Sequence, residues 1–192
     1  MLSFLPPFVR GVIAMTLLVA NTLFWCALLF AFSLVKLVFP AKRVRALIDP
    51  VLNTIATSWI AGNSGWMRLT QRAQWDIEGI ADLDYRSWYL VSCNHQSWVD
   101  ILVLQRIFHR HIPFLKFFLK QELIWVPVIG LAWWALDFPF MGRGKSRAAL
   151  RKDLETTRRA CEKFKRIPTS VMNFVEGTRA TPAKRVQQKS PY

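Results

Sequence analysis

Trp88-Tyr89-Leu90-Val91-Ser92-Cys93-Asn94-His95-Gln96-Ser97-Trp98-Val99-Asp100-Ile101-Leu102-Val103-Leu104 is the stretch on which the reading of the fold turns. Trp88 to Val91 is short, aromatic and β-branched, so it reads as a buried strand. The run from Ile101 continues at mixed period and reads as a helix over about 98–109. The polar residues between them fall at a strand-to-helix junction, where an α/β scaffold carries its sites. His95 and Asp100 are five residues apart. On one continuous helix that spacing would hold them roughly 140° apart. With His95 in the turn and Asp100 in the first turn of the helix, the chain folds the imidazole back onto the carboxylate. The positive end of the helix dipole favours a carboxylate there. The product is a His oriented by an Asp, the base half of a triad, and no Ser or Cys nucleophile is required if the substrate brings its own hydroxyl. Alone, His-x4-Asp is a weak signal, and a loop His beside an Asp helix cap accounts for it at least as well.

Composition narrows the class. The chain has 192 residues, enough for one domain with a real core, and 53% of them are apolar with nine Trp. Net charge is +14. Apolar content and positive charge together suit a protein that touches a membrane and its anionic head groups. Nucleic acid would explain the charge but not the apolar N-terminus, and no nucleic-acid partner is expected. Cys26, Cys93 and Cys161 are odd in number and widely spaced, without a disulfide framework or zinc spacing, and read as reduced thiols. His109 and His111 lie among Arg106 and Arg110 with no acidic partner and read as a solvated helix end, so no metal is expected. Cys93 reads as a small strand residue rather than a nucleophile.

Gly11 to Val35 holds no charged residue, about 25 positions, long enough to cross a bilayer as a tilted helix. The run is too long for a signal peptide and no small-residue cleavage site follows. Lys36, Lys42, Arg43 and Arg45 make the C-terminal flank the more basic, which predicts a cytoplasmic remainder, as at a bacterial inner membrane. A spanning helix and a re-entrant hairpin both satisfy this composition. Pro40 ends the helix. Asp49-Pro50 starts a second helix, amphipathic over about 50–70, with Leu52, Ile55, Trp59 and Ile60 on one face and a break at Asn63-Ser64-Gly65. That helix either lies on the membrane or packs on the core.

Downstream the pattern alternates. Strands are predicted at Trp75–Ile80, Trp88–Cys93, Phe114–Leu119, Phe138–Met141 and Thr169–Val175, and helices at about 98–109, 127–136 and 146–166. The last helix puts Leu150, Leu154, Thr157, Cys161 and Phe164 on one face and is otherwise strongly basic, a face suited to anionic lipid, CoA phosphates or an acidic carrier protein. The expected fold is α/β: membrane-anchoring helices over 1–72, a mixed α/β domain over 73–180, and a basic irregular tail over 181–192.

Three ordered segments give the reading its specificity. Asn94-His95-Gln96-Ser97-Trp98-Val99-Asp100 comes first. Lys120-Gln121-Glu122-Leu123, with Pro127, Gly130 and Phe140-Met141-Gly142-Arg143, comes second. Phe174-Val175-Glu176-Gly177-Thr178-Arg179 comes third. In order and approximate spacing, over about residues 75 to 180, they resemble the motifs of the 1-acyl-sn-glycerol-3-phosphate acyltransferases and related glycerolipid acyltransferases. Asp137-Phe138-Pro139-Phe140-Met141 and the form of the third motif resemble the branch with lysophospholipid and lysocardiolipin acyltransferases. One departure is Gly142 before Arg143, where many relatives carry a polar residue. Another is the end of the chain. The family continues past its third motif with further sheet, so the resemblance implies an α/β core incomplete at its C-terminus.

The resemblance implies a membrane-bound O-acyltransferase moving an acyl chain from acyl-CoA or acyl-carrier protein to the free hydroxyl of a lysophospholipid such as lysophosphatidic acid. His95 and Asp100 map onto the catalytic pair. Arg143, Glu176, Gly177, Thr178 and Arg179 map onto acceptor binding. No cofactor is implied beyond the acyl donor. Physical chemistry agrees: a hydroxyl needs a base to attack a thioester, and the oxyanion then formed needs donors, for which Lys120 and backbone N–H groups near Ser97 are candidates. The alternative is a truncated, non-catalytic lipid-binding protein of the same fold.

Overall fold

The computed structural model describes residues 2, 4–71, 73–142, 144, 146–164, 167–175 and 181. Two long helices open the chain: α1 (Pro7–Val38) and α2 (Lys42–Thr70). Proline at the first helical position suits the start of α1, where an N–H would go unpaired in any case. Pro40 and the extended Ala41 separate the two helices. They form an antiparallel pair tied at both ends. Near one end the Leu2 N–H donates to the Leu69 carbonyl, 3.0 Å. Near the other, Lys36 Nζ meets Asp49 Oδ1 at 2.8 Å and Asp137 Oδ2 at 2.9 Å.

Between the ends the helices are pinned by polar groups. Asn21 Nδ2 donates to the Trp59 carbonyl (3.0 Å) and to Asn63 Oδ1 (2.9 Å). Trp66 Nε1 donates to the same Asn63 oxygen, and Trp59 Nε1 to Thr22 Oγ1. Gly62 makes room, because a Cβ there would lie 2.1 Å from Asn21 Oδ1. The second helix thus departs from the sequence reading twice. It starts at Lys42, with Pro50 inside it rather than at its first turn, and it continues through Asn63-Ser64-Gly65 without a break. Helix packing decides both points: Leu52, Ile55, Ala56, Ile60 and Asn63 are buried along one face of a continuous helix, with Asn63 against Asn21 of α1.

The remaining described elements are β1 (Tyr89–Cys93), α3 (Val99–Phe108), β2 (Leu115–Phe117), β3 (Leu119–Lys120), a 3-10 helix (Gln121–Trp125), α4 (Ile129–Ala135), β4 (Phe140–Met141), α5 (Arg147–Phe164) and β5 (Ser170–Phe174). All pairings are parallel. One sheet has the order β1-β5-β2, with Cys93 opposite Phe174 and Phe117 opposite Met172. The other joins β3 to β4, with Lys120 opposite Met141. Parallel strands joined through helices make this an α/β fold. Trp75–Ile80 is no strand; it runs without a sheet partner into Gly79, at φ 74°. The predicted strand over 114–119 is divided at Phe118, so that its two halves join different sheets.

One apolar cluster unites the molecule. Cys26 and Leu29 of α1, Leu52, Ile55 and Ala56 of α2, Leu115 and Phe117 of β2, Ala132 and Leu136 at α4, Phe138 and Met172 are buried together. The first two helices are therefore walls of the α/β core. Among the described residues, β1 is covered on one side only. Tyr89, Val91 and Cys93 pack on the cluster, while Leu90 between them is 75% exposed. The expectation of a fully buried β1 fails here because period 2 sends alternate residues to a face open among the described residues.

The long basic helix is also rotated from its expected orientation. Asp153, Ala160 and Phe164 are buried, whereas Leu150 and Leu154 are 59% and 62% exposed and Cys161 is exposed. The inward face is held by polar contacts to the end of β4 rather than by the leucine stripe.

Candidate active site

The site grows from the C-terminal ends of β1 and β5. Parallel register sets Cys93 beside Phe174, and the Val175 N–H donates to the Cys93 carbonyl, 3.3 Å. Beyond Cys93 the chain leaves the sheet for four residues and then turns into α3. His95 stands in that turn and Asp100 in the first turn of the helix.

Asp100 Oδ2 is a three-way acceptor. It takes the Gln96 N–H at 2.7 Å, the Ser97 N–H at 2.8 Å and His95 Nδ1 at 3.0 Å. An ionised carboxylate can only accept, so Nδ1 is the donor to it, and in the neutral tautomer the lone pair belongs to Nε2. Partial burial raises the pKa of Asp100. The Ser97 N–H, the His95 ring and the Gln96 N–H outweigh that penalty and hold the carboxyl below the usual carboxylate range. The carboxylate is ionised and fixed in place at neutral pH. It also satisfies N–H groups just ahead of a helix whose cap residue, Trp98, makes no side-chain capping hydrogen bond.

The imidazole is held from a second direction. Its ring stacks on Phe174, centroids 3.9 Å apart and planes 21° from parallel. Phe174 stacks in turn on Phe117, and Phe117 on Phe138, at centroid distances of 6.4 and 6.3 Å. A row of aromatic rings thus runs from the core to the imidazole. Around it the described rim is mixed: Trp98, Val99 and Val175 are exposed together with Asn94, Gln96 and Ser97.

The other sequence-predicted residues stand as follows. Ser97 lies at the start of α3, its N–H donating to Asp100 and its Oγ accepting the Val99 N–H at 3.2 Å. Lys120 ends β3 and is exposed, opposite Met141. Arg143, Glu176, Gly177, Thr178 and Arg179 lie outside the described residues. Their chain neighbours are described: Gly142 leaves β4 beside Lys120, and Val175 leaves β5 beside Cys93.

Two residues near these segments escaped the sequence reading. Phe174 looked like the end of a core strand and forms the platform under His95. Asp153 lies off the face assigned to the core from the sequence, among the basic residues of the same helix. It is buried, and its Oδ1 accepts the Gly142 N–H at 2.8 Å. A signal existed for Asp153: the only acids of α5 are Asp153, Glu155 and Glu162, and Asp153 falls on the helix face of Ala160 and Phe164.

A family model for Acyltransferase matches residues 74–190. Among solved structures, the crystal structure of the 1-acyl-sn-glycerophosphate (LPA) acyltransferase PlsC from Thermotoga maritima is similar in fold, with a TM-score of 0.55 and 18% sequence identity. The likeness covers 92% of this chain and 65% of that one, so this chain spans about two thirds of that relative's length. No curated protein matches. The matched region holds the His95–Asp100 pair, both sheets and the chain on either side of them, more than half of the 192 residues. On that match the chain belongs to the Acyltransferase family.

Proposed function

We propose that this chain is a membrane-bound O-acyltransferase that transfers a fatty acyl group from acyl-CoA or acyl-carrier protein to the free hydroxyl of a lysophospholipid such as lysophosphatidic acid. The observation that carries the reading is the contact of His95 Nδ1 with a carboxylate already anchored by two backbone N–H groups. Nε2 of His95 accepts the proton of the acceptor hydroxyl as its oxygen attacks the thioester carbonyl carbon. Asp100 stabilises the imidazolium that forms. Collapse of the tetrahedral intermediate breaks the C–S bond, and the imidazolium returns the proton to the departing thiolate. Stacking on Phe174 restrains the ring so that Nε2 keeps one direction. The Gln96 and Ser97 N–H groups, expected from the sequence as oxyanion donors, are already given to Asp100, so Lys120 and the Ser97 hydroxyl are the proposed donors to the oxyanion or acyl donor. Arg143 and Arg179 receive the acceptor phosphate through bidentate contacts, with Glu176, Gly177 and Thr178 shaping that end of the site. No metal or bound cofactor takes part.

The membrane part of the proposal rests on α1. It is 32 residues long with a mean hydropathy of 2.2 over its most apolar window. Bonds near both ends tie it to α2, which carries Asp49, Asn53, Asn63 and Arg68. An upright pair would leave Asp49 and Arg68 near its two ends but set Asn53 and Asn63 in the hydrocarbon, which supports a pair lying in one leaflet. The proposed location is a bacterial inner membrane, with the site on the cytoplasmic side.

The test is acyl transfer from labelled acyl-CoA to lysophosphatidic acid in lipid vesicles by the 192-residue chain. His95→Ala should lower turnover by about 10²–10⁴-fold while vesicle binding persists. Turnover retained by the variant would overturn the mechanism. Vesicle binding without turnover in the folded parent chain would point to a lipid-binding protein of the same fold.

A further inference from the structure

The 3-10 helix and α4 form a second apolar surface apart from α1. From Leu123 to Leu136 the chain holds no charged residue. Its inner side is spent on the core: Ile129, Ala132, Trp133 and Leu136 face Trp25, Cys26 and Leu29 of α1 across a small cavity. Its outer side is bare among the described residues. Trp125 is 85% exposed, Leu131 56% and Trp134 53%, with Val126 also exposed.

This exposure is built into a stiff corner. Val128, a β-branched residue, sits at φ 65°, and the Ile129 N–H donates to the Pro127 carbonyl at 2.7 Å. Gly130 packs so closely that a Cβ would lie 2.2 Å from the Ile124 carbonyl oxygen. A chain at φ > 0 on valine persists only where its surroundings over-determine it. The corner therefore keeps Trp125 outward instead of letting it fold onto the core.

We propose that Trp125, Val126, Leu131 and Trp134 form a wedge that enters the head-group boundary of a lipid bilayer. The inference deepens the membrane-bound reading and rests on it. Continuity argues for lipid as the occupant. The α1 residues that pack on α4 are flanked along the same helix by exposed Phe24, Leu28 and Phe32, so the two bare surfaces adjoin. Tryptophan, with an apolar ring and one N–H donor, is the side chain enriched at that boundary. The wedge sits between Lys120 and β4, so its seating sets how deep the second-motif segment rides against the lipid.

The test places an environment-sensitive fluorophore at Trp125→Cys in a Cys93→Ser, Cys161→Ser background, with the unsubstituted background as blank. Val19→Cys on α1 and Leu90→Cys on the open sheet face are the comparison sites, both exposed. Each protein is reconstituted in vesicles of phosphatidylcholine and phosphatidylglycerol and titrated with doxyl-labelled lipid and with aqueous iodide. The expected result is loss of fluorescence at 125 and 19 to doxyl lipid with protection from iodide, and the reverse at 90. Iodide quenching at 125 with lipid quenching at 19 would overturn the wedge and leave the membrane reading standing. Iodide quenching at both would overturn the membrane reading as well. Protection from both quenchers at 125, with self-quenching that grows with the protein-to-lipid ratio, would assign the surface to a second copy of the chain and overturn the wedge.

Discussion

Asp100 organises the turn before it organises the histidine. Removing its carboxylate leaves two backbone N–H groups without their acceptor and frees the ring of His95. Asp100→Ala should cost about 1–2 kcal/mol of stability, measured by chemical or thermal denaturation in detergent, besides lowering turnover. Asp100→Asn should keep more of the stability than of the activity, because an amide oxygen still accepts an N–H but no longer stabilises an imidazolium. The same carboxylate sets a pH dependence. Its pKa in the folded chain lies below the unfolded value, so its stabilising contribution is complete above about pH 4 and disappears as pH falls through the depressed value. The melting temperature of the parent chain minus that of Asp100→Asn should be flat at neutral pH and shrink in acid. A difference that grows in acid would contradict this. The pair itself was legible in the sequence, because spacing and a strand-to-helix junction constrain a local turn. Phe174 as platform was not legible, since it needs the β1–β5 register, which strands over 70 residues apart do not declare locally.

At the scale of elements, α5 shows how a periodic pattern can be read correctly and oriented wrongly. Helical periodicity is present, but the leucine stripe faces out, and the face with Asp153 and Ala160 faces in. Periodicity reports that two faces differ, not which one the fold uses. The deciding contact is from Asp153 to the Gly142 N–H, one residue before Arg143. Asp153 acts as a positioning residue for that turn. On the proposed function, Asp153→Ala should raise the KM for the lysophospholipid acceptor more than it lowers kcat, and Asp153→Asn, which keeps an oxygen acceptor, should restore most of the loss. Equal effects from both substitutions on kcat alone would mean a different role. Gly130 is the second element-scale prediction. Because a Cβ there meets backbone rather than a flexible side chain, Gly130→Ala should cost more than about 2 kcal/mol and lower the yield of folded protein, read by its melting temperature.

For the whole molecule, the sequence separates cleanly into an apolar beginning and an α/β remainder, and the structure does not keep them apart. Composition could show that α1 is apolar but not that Cys26 and Leu29 pack with Phe117 and Met172. Lys36 is the polar counterpart of that joint, meeting Asp49 of α2 and Asp137 after α4. Lys36→Met should leave two neighbouring carboxylates without their shared cation and cost about 1–3 kcal/mol, measured by thermal melting against the parent chain. A chain beginning at Phe39 should show no cooperative melt, since it lacks one wall of its core; a soluble, cooperatively folding product would contradict the shared core.

That shared wall also governs biogenesis. The ribosome delivers α1 first, and every later strand must close against a surface that includes it. An apolar helix waiting for its partners is safest where lipid already shelters its outer side. Synthesis at the bilayer would then shield the first helix until Phe117 and Met172 arrive, and a defect in targeting would show as misfolding before it showed as misplacement.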